Sequence, residues 1–313
     1  MEYARRLEVR LPEAWVILAG LAGLCFSVIA MCLRGGQRRG APPIAVSMFL
    51  AVVGSAFFAG RCLGQSFDEM PLWASTCGLI AGGSQYAAMR FMQACLERGP
   101  LSPVWCAASL GFLPAIVYSH GAFAEPIGAA QYVAVVTAVA CVVVASTGQK
   151  DARPTDRPGD GQTRGVFYLV GLSMVFLLNG VTTMATKDLG LRAFPAGGTY
   201  MDRYADVFLL GMYFAMAAGI FLDLLVRGRL RFPVRWTVGL GVLAGAASTF
   251  GYWAIAACAA RPAAIVFTVS STVSILGASV ASVAAFGERP SPAWFGTVGL
   301  AVATVVLANV PAA

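Results

Sequence analysis

Residues 73–98 read WASTCGLIAGGSQYAAMRFMQACLER, and residues 236–261 read WTVGLGVLAGAASTFGYWAIAACAAR. The two stretches align without a gap at an offset of 163 residues, the difference between Trp236 and Trp73. Rarer residues coincide within and beyond these stretches: Gly78 with Gly241, Gly82 with Gly245, Cys95 with Cys258, Arg98 with Arg261, Phe123 with Phe286 and Glu125 with Glu288. Self-similarity at one fixed spacing predicts that the chain is an internal duplication.

The composition indicates a membrane protein. Of the 313 residues, 58% are hydrophobic and 12% are charged, and the mean hydropathy is +0.74, whereas an ordinary soluble domain is about 25% charged. The apolar runs are long and do not alternate, so they predict helices rather than barrel strands. Most of the net charge of +7 comes from Arg between apolar runs, which suits anionic lipid headgroups and not nucleic acid.

Ten apolar runs have the length of a transmembrane helix. We number these predicted spans 1 to 10: residues 13–33, 43–64, 72–96, 101–121, 126–147, 165–186, 200–226, 236–259, 262–286 and 292–311. The polar stretch 148–164 is rich in Pro, Gly and Asp and predicts a linker between a first repeat, 1–147, and a second, 165–313. Because each repeat has five spans, an odd number, the two repeats are expected to have inverted topology.

The paired glycines, Gly78-x-x-x-Gly82 and Gly241-x-x-x-Gly245, fit the small-xxx-small pattern of close helix packing in membranes. Cysteine and histidine give no metal signal: the eight cysteines lie in or beside apolar runs, no CxxC occurs, and His120 is the only histidine. We therefore expect no metal site, no cofactor and no disulfide framework.

The motifs after spans 4 and 9 resemble those of a known family. They read Phe123-Ala124-Glu125-Pro126 and Phe286-Gly287-Glu288-Arg289-Pro290, the second followed by Gly296. With the duplicated five-span pattern, they are similar to the drug/metabolite transporter superfamily in its ten-helix, EamA-like form. The first repeat departs from the pattern, because Val133 replaces a glycine and span 2 lacks an arginine that many members carry.

This resemblance implies a secondary transporter in the bacterial inner membrane, with both termini in the cytoplasm. Inverted repeats place a binding site near the bilayer midplane, and one bundle rocks against the other to give alternating access. The expected solute is a small polar or amphiphilic metabolite. The positive-inside rule favours the opposite orientation, because more Lys and Arg residues flank the side away from the termini.

Span 3 carries the most informative polar face. Tyr86, Arg90, Gln93 and Glu97 follow at steps of four, three and four residues, which places them on one side of a helix. An intramembrane Arg is costly and normally faces a cavity or a partner, so we expect this face to line the site. Alternatively, Arg90 extends to the headgroups and Glu97 caps a loop.

At the equivalent positions of the second repeat, Thr249 replaces Tyr86 and Trp253 replaces Arg90. One wall of the cavity would then offer charge, and Tyr252 and Trp253 on the other would hold an apolar or cationic group. Trp253 could instead belong to the core or to the interfacial aromatic belt. Spans 4, 6 and 9 add polar side chains, each of which could also bond within its own helix.

The complete set of predicted substrate-binding residues is Tyr86, Arg90, Gln93, Trp105, Ser109, Asn179, Thr249, Tyr252, Trp253, Thr268 and Thr272. Glu125 and Glu288 are predicted to be structural helix caps, since each lies near a proline at the start of an apolar helix. Lys187 and Asp188, at the end of span 6, are interpreted as an interfacial anchor.

Two further functions remain open. An integral-membrane enzyme would need a catalytic constellation, but no Walker or zincin motif and no carboxylate cluster with metal spacing is present, so no catalytic residue is predicted. A non-transporting scaffold would not need polar faces on pocket-lining helices. The expected partners are a small-molecule substrate and membrane lipids, with no nucleic acid, and a homodimer is compatible with the sequence.

Overall fold

The structure is a computed structural model. It describes residues 12–63, 72–99, 101–123, 128–147, 160–193, 198–228, 233–258, 263–288, 290, 292–308 and 310. The described residues are 91% helical and contain no strand. They form eleven helices: α1 Pro12–Arg38, α2 Pro43–Cys62, α3 Leu72–Leu96, α4 Leu101–Ser109, α5 Phe112–Phe123, α6 Ala129–Thr147, α7 Asp160–Ala193, α8 Gly198–Val226, α9 Val234–Ala257, α10 Ala263–Ala284 and α11 Pro292–Ala308.

The helices have the lengths and surfaces of an integral membrane protein. Seven described segments are long and apolar enough to cross a bilayer: they lie in α1, α2, α4 with α5, α7, α8, α9 and α10. Large apolar side chains are exposed on the outside, including Ile17, Leu177 and Val280. Lipid tails would cover such side chains, which a soluble monomer exposes much less extensively.

Span 4 is not one continuous helix, in contrast to the sequence prediction. It is divided at Leu110 and Gly111 into α4 and α5. Pro114 explains the break, because it has no N–H to donate to the carbonyl of Leu110 and its ring crowds that carbonyl. Spans 1–3 correspond to α1–α3, and spans 5–10 correspond to α6–α11.

The linker is shorter than predicted at its C-terminal end. Helix α7 begins at Asp160, so residues 160–164 are helical. Residues 148–159 lie outside the described part of the chain.

Helices from the N-terminal and C-terminal parts of the chain pack against each other. Helix α3 packs on α7 and α8, α9 packs on α1 and α2, and α6 packs on α11. Glycines make two of these contacts close. A Cβ built on Gly82 would overlap the Met212 carbonyl of α8, and one built on Gly245 would overlap Val53 of α2. The predicted packing role of these glycines is confirmed, because no larger residue would permit the same helix separation.

Candidate functional site

A cavity of about 110 Å³ lies in the middle of the helical bundle. Its walls come from α1–α5 and α7–α10, whereas α6 and α11 contribute nothing among the described residues. The lining combines hydroxyl and amide side chains with aromatic residues and methionines. It is smaller than the 300–1,000 Å³ typical of drug-sized ligand sites, so it fits a small molecule.

Four of the predicted substrate-binding residues lie on the cavity wall: Trp105, Ser109, Asn179 and Tyr252. They come from α4, α7 and α9, helices that the sequence places far apart. Trp105 donates its indole N–H to Ser274 Oγ at 2.8 Å, and the Ser271 hydroxyl donates to the Ser109 carbonyl at 2.8 Å. The structure therefore brings these four predicted residues together, and their contact with a substrate remains a prediction.

Arg90, which is predicted to line the cavity, is not among the residues of its wall. Its guanidinium lies 3.4 Å from Asp223 of α8, and Asp223 also pairs with Arg227 at 2.7 Å. On the same face of α3, the Gln93 amide donates to Glu97 Oε1 at 2.8 Å. This polar face meets the C-terminal end of α8 because Asp223 there offers the opposite charge, so neither Arg90 nor Gln93 reaches the cavity.

Tyr86 and Trp253 are also outside the cavity lining. The Tyr86 ring lies against Gly219 of α8, where the missing side chain leaves room for it. Trp253 is half-buried, with its ring centroid 5.8 Å from that of Phe250. Core packing, the alternative interpretation of Trp253, agrees with this position.

Three predicted threonines do not line the cavity either. Thr249 and Thr268 are buried, and Thr272 donates to the Thr268 carbonyl at 2.8 Å. Such a bond to the preceding helical turn is the usual alternative for a helical threonine. On α9 and α10, residues close in sequence to these threonines face the cavity instead, including Ser248, Ser270 and Ser271.

Sequence reasoning missed several lining residues. Gln85, which is next to Tyr86, faces the cavity, and so do Tyr213 and Ser248. The Tyr213 hydroxyl and Ser248 Oγ are 2.7 Å apart, and both residues are buried. The repeat offset of 163 aligns Gln85 with Ser248. This match of two polar residues is the feature of the sequence that could have identified both as lining residues.

Gln85 presents an unused donor to the cavity. Thr182 Oγ1 lies 3.4 Å from the Gln85 Oε1 and 3.2 Å from the Ala81 carbonyl, and Gln85 is only 5% exposed. Among the described residues, Thr182 is the hydrogen-bond partner of the Gln85 side chain, which leaves its amide with hydrogen-bonding capacity toward the cavity. Because buried polar groups are normally paired, this donor is suited to a ligand acceptor.

Charged side chains form ion pairs away from the cavity. Besides the Arg90 pair, Arg61 at the end of α2 contacts Asp206 of α8 at 2.8 Å. No Asp, Glu, Lys, Arg or His belongs to the described cavity lining. The site consequently offers hydrogen bonds and apolar contacts but no formal charge.

At one end of the bundle, Glu288 holds two other helices, and the described residues show no hydrogen bond from it to the helix that follows. Its carboxylate lies 2.8 Å from the Arg34 guanidinium of α1 and accepts from the Leu101 N–H at 3.1 Å. Arg34 and Gln37 also donate to the Leu96 carbonyl at 3.1 and 3.0 Å. We call this set (Arg34, Gln37, Leu96, Leu101 and Glu288) the Arg34 cluster.

The predicted cap at Glu288 thus acts on α4, whose first N–H groups have no partner within the helix. The corresponding prediction for Glu125 lies outside the described residues. The interfacial-anchor interpretation of Lys187 and Asp188 is wrong, because these residues are only 1% and 6% exposed. The Tyr118 hydroxyl donates to Asp188 Oδ1 at 3.2 Å, so this carboxylate belongs to the protein interior.

No group of three or more His, Cys, Asp or Glu residues that could hold a metal ion occurs in the described ranges. No family model matches the chain, and no curated protein matches it. The resemblance to the drug/metabolite transporter superfamily therefore stays a prediction.

Fifteen solved chains match the structure. One of them, described only as "Crystal structure of protein", has a TM-score of 0.64 and 15% sequence identity, with 95% of this chain and 96% of that chain covered. At this identity the likeness concerns the fold alone: the arrangement of helices recurs over nearly the whole length of a solved protein.

Proposed function

We propose that the chain is a secondary transporter that moves a small polar or amphiphilic metabolite by alternating access through the central cavity. In this proposal α1–α6 and α7–α11 are two inverted five-span repeats in a bacterial inner membrane, with α4 and α5 together making one span. The small molecule and membrane lipids are its partners.

Equivalent glycine contacts support the duplication. Gly82 of α3 meets the Met212 carbonyl of α8, and Gly245 of α9 lies 3.1 Å, measured from a built Cβ, from the Leu50 carbonyl of α2. The two glycines differ by 163 residues and the two carbonyl residues by 162. The two contacts are therefore those expected if the two halves have the same fold and exchange places.

A second pair of contacts obeys the same exchange. Cys95 of α3 contacts the Tyr168 carbonyl of α7 at 4.0 Å, and Cys258 of α9 contacts the Trp15 carbonyl of α1 at 3.7 Å. The cysteines again differ by 163, and the carbonyl residues differ by 153. In the first contact the cysteine belongs to the first half and the carbonyl to the second half, and in the second contact the reverse is true. A twofold relation between the halves would produce both contacts.

The observation that carries the proposal is the origin of the cavity lining. At the offsets given by those contacts, lining residues occur in pairs, one from each half: Phe26 with Asn179, Ile29 with Thr182, Leu50 with Met212, Gln85 with Ser248, Met89 with Tyr252, Met92 with Ile255 and Ala108 with Ser271. A cavity lined by both halves is where inverted-repeat transporters bind their solutes. Neither an enzyme nor a scaffold requires this arrangement.

The Arg34 cluster supplies a means of closing one side. It joins α1, α3 and α4 to the residues that follow α10, so it links the two halves at one end of the bundle. We propose that these contacts form when the cavity is closed toward that side and separate when it opens.

Uptake into proteoliposomes tests the function. The panel comprises amino acids, amines, nucleosides and sugar phosphates, with and without a pH gradient. Ala108→Trp would fill much of the cavity, whereas Ala122→Trp places the same side chain at an exposed position on α5. We expect accumulation or exchange of at least one solute by the native chain and Ala122→Trp, and loss with folded Ala108→Trp. Absence of transport for the whole panel would favour a scaffold.

A further inference from the structure

The chemistry of the cavity narrows the class of ligand. As its lining contains no Asp, Glu, Lys, Arg or His in the described ranges, a charged ligand would lose its hydration without meeting an opposite charge. Burial of an unpaired ion costs several kcal/mol in proteins. Two arginines of cavity-lining helices are already engaged, because Arg90 is paired with Asp223 and Arg34 with Glu288.

Three of the aromatic side chains that line the cavity, Phe26, Tyr213 and Tyr252, pack against one another. Phe26 and Tyr252 contact each other edge to face, with centroids 5.2 Å apart and planes at 63°. Tyr213 and Tyr252 are also edge to face, at 6.1 Å and 87°. Cation–π binding needs a ring face directed at the ligand, and each of these two contacts already occupies a ring face within the cluster.

The two halves contribute different chemistry at equivalent positions. The first-half members Phe26, Ile29, Met89 and Ala108 are apolar, and their second-half partners Asn179, Thr182, Tyr252 and Ser271 are polar. At these four of the seven pairs the polar group comes from the second half, and Gln85, beside Thr182, adds a polar group from the first half. This division suits a molecule with a hydrogen-bonding group on one side and an apolar body on the other.

Gln85 gives the polar part of such a molecule a specific partner. Its side chain is buried and lines the cavity, and Thr182 is its hydrogen-bond partner among the described residues, so the amide NH₂ is available to a ligand. A neutral carbonyl or hydroxyl oxygen would accept this hydrogen bond.

From these observations, and resting on the proposed transport function, we propose that the cavity selects a small uncharged amphiphile whose acceptor oxygen binds the Gln85 amide. A neutral amide with a compact apolar body is the simplest example. The methionines around it, Met89, Met92, Met212 and Met216, provide adaptable apolar surface.

Two matched series of similar size and different charge test this proposal. The first is nicotinamide, nicotinate and 1-methylnicotinamide, and the second is isobutyramide, isobutyrate and isobutylammonium. Binding is measured as the rise in melting temperature of the protein in lipid nanodiscs, since a ligand of the native state stabilises it. We expect each neutral amide to bind about tenfold more tightly than its charged relatives.

Gln85→Leu and Gln93→Leu form a matched pair of variants. Both glutamines lie on α3 and are 5% exposed, but only Gln85 lines the cavity. We expect Gln85→Leu to weaken binding of the neutral amides by about tenfold and Gln93→Leu to leave it unchanged. Equal effects of the two variants would contradict the role of Gln85.

Flux of the same compounds into proteoliposomes separates the two proposals. If a charged member binds and is carried in preference to its neutral relative, the transporter stands and the ligand class is wrong. If the neutral members bind but none of the panel crosses the bilayer, the ligand class stands and the transport function is wrong. Failure of both neutral amides to bind would overturn the ligand class.

Discussion

At the scale of single residues, one hydrogen bond joins the two proposed halves across the cavity wall. The Trp105 indole of α4 donates to Ser274 Oγ of α10, and the residues are 6% and 2% exposed. A buried donor that loses its acceptor keeps the full cost of its desolvation. This contact should therefore be important for the stability of the native state.

We predict that Ser274→Ala lowers the free energy of unfolding by about 1–3 kcal/mol, because it leaves the Trp105 N–H unpaired. Trp105→Phe removes the hydrogen-bond donor. In a chain that already carries Trp105→Phe, Ser274→Ala should therefore lower the free energy of unfolding by a smaller amount. A double-mutant cycle, read by reversible unfolding in mixed micelles, measures the difference. Additive effects of the two substitutions would mean that the hydrogen bond contributes nothing.

Side-chain direction was the part of the site that the sequence could not predict. The spacing of Tyr86, Arg90 and Gln93 correctly placed a polar face on α3, but the cavity lies beside the adjacent residue Gln85. The partner that determines where Arg90 points, Asp223, lies on a helix distant in sequence. Helical periodicity gives the angle between side chains around the helix axis. It does not identify the neighbouring helix that each side chain faces.

At the scale of helices, close packing depends on glycines that have no room for a side chain. A Cβ on Gly82 would lie 2.8 Å from that of Ala215 and would also overlap the Met212 carbonyl of α8. The next residue, Gly83, is exposed, and a Cβ built on it has nothing within 4 Å. Substitutions at these two adjacent glycines would change helix propensity equally, but only a substitution at Gly82 would disturb the contact between helices.

Accordingly, Gly82→Val should destabilise the protein by about 1–3 kcal/mol or more, since backbone must move to admit the side chain. Gly83→Val should have a small effect, because its side chain would point into open space. Thermal unfolding in nanodiscs compares the two variants. Equal losses of stability would show that the α3–α8 contact does not require Gly82.

The Arg34 cluster gives a second test at this scale. Glu288→Gln removes the charge that pairs with Arg34, whereas Glu97→Gln changes an exposed carboxylate at the end of α3. The pair is partly buried, with side chains 16% and 9% exposed, so Glu288→Gln should weaken it and shift the protein toward a state open at this end. Cys95, only 1% exposed, would report that opening.

We expect a water-soluble maleimide to modify Cys95 about tenfold faster in Glu288→Gln than in Glu97→Gln, with the other seven cysteines replaced by alanine. Mass spectrometry at timed intervals gives the rates. Unchanged modification of Cys95 would count against the cluster as a closure of the cavity.

Apolar run length predicted most helices well, because a bilayer fixes the number of residues per span. Span 3 coincides with α3, Leu72–Leu96, and α10 and α11 differ from prediction only near their ends. The break between α4 and α5 was missed, although Pro114 was visible in the sequence, because hydropathy does not register the loss of a backbone donor. Similarly, composition alone could not show that α7 begins at Asp160.

At the scale of the whole molecule, the account depends on one cavity that opens alternately to the two sides of the membrane. Ala108 lies on the cavity wall, and its pair Ser271 lies there also. Leu177, on α7, is 51% exposed on the outside of the bundle, where lipid would surround it. A cysteine at either position reports whether water reaches it.

The most direct measurement is modification of Ala108→Cys, in a chain without its eight native cysteines, by a small membrane-impermeant methanethiosulfonate. The reagent is added separately to right-side-out and to inside-out vesicles, with Leu177→Cys as the lipid-facing control. Alternating access predicts that Ala108→Cys reacts from both sides and that the control reacts from neither. Reaction of Ala108→Cys from one side alone, or from neither side, would contradict the account.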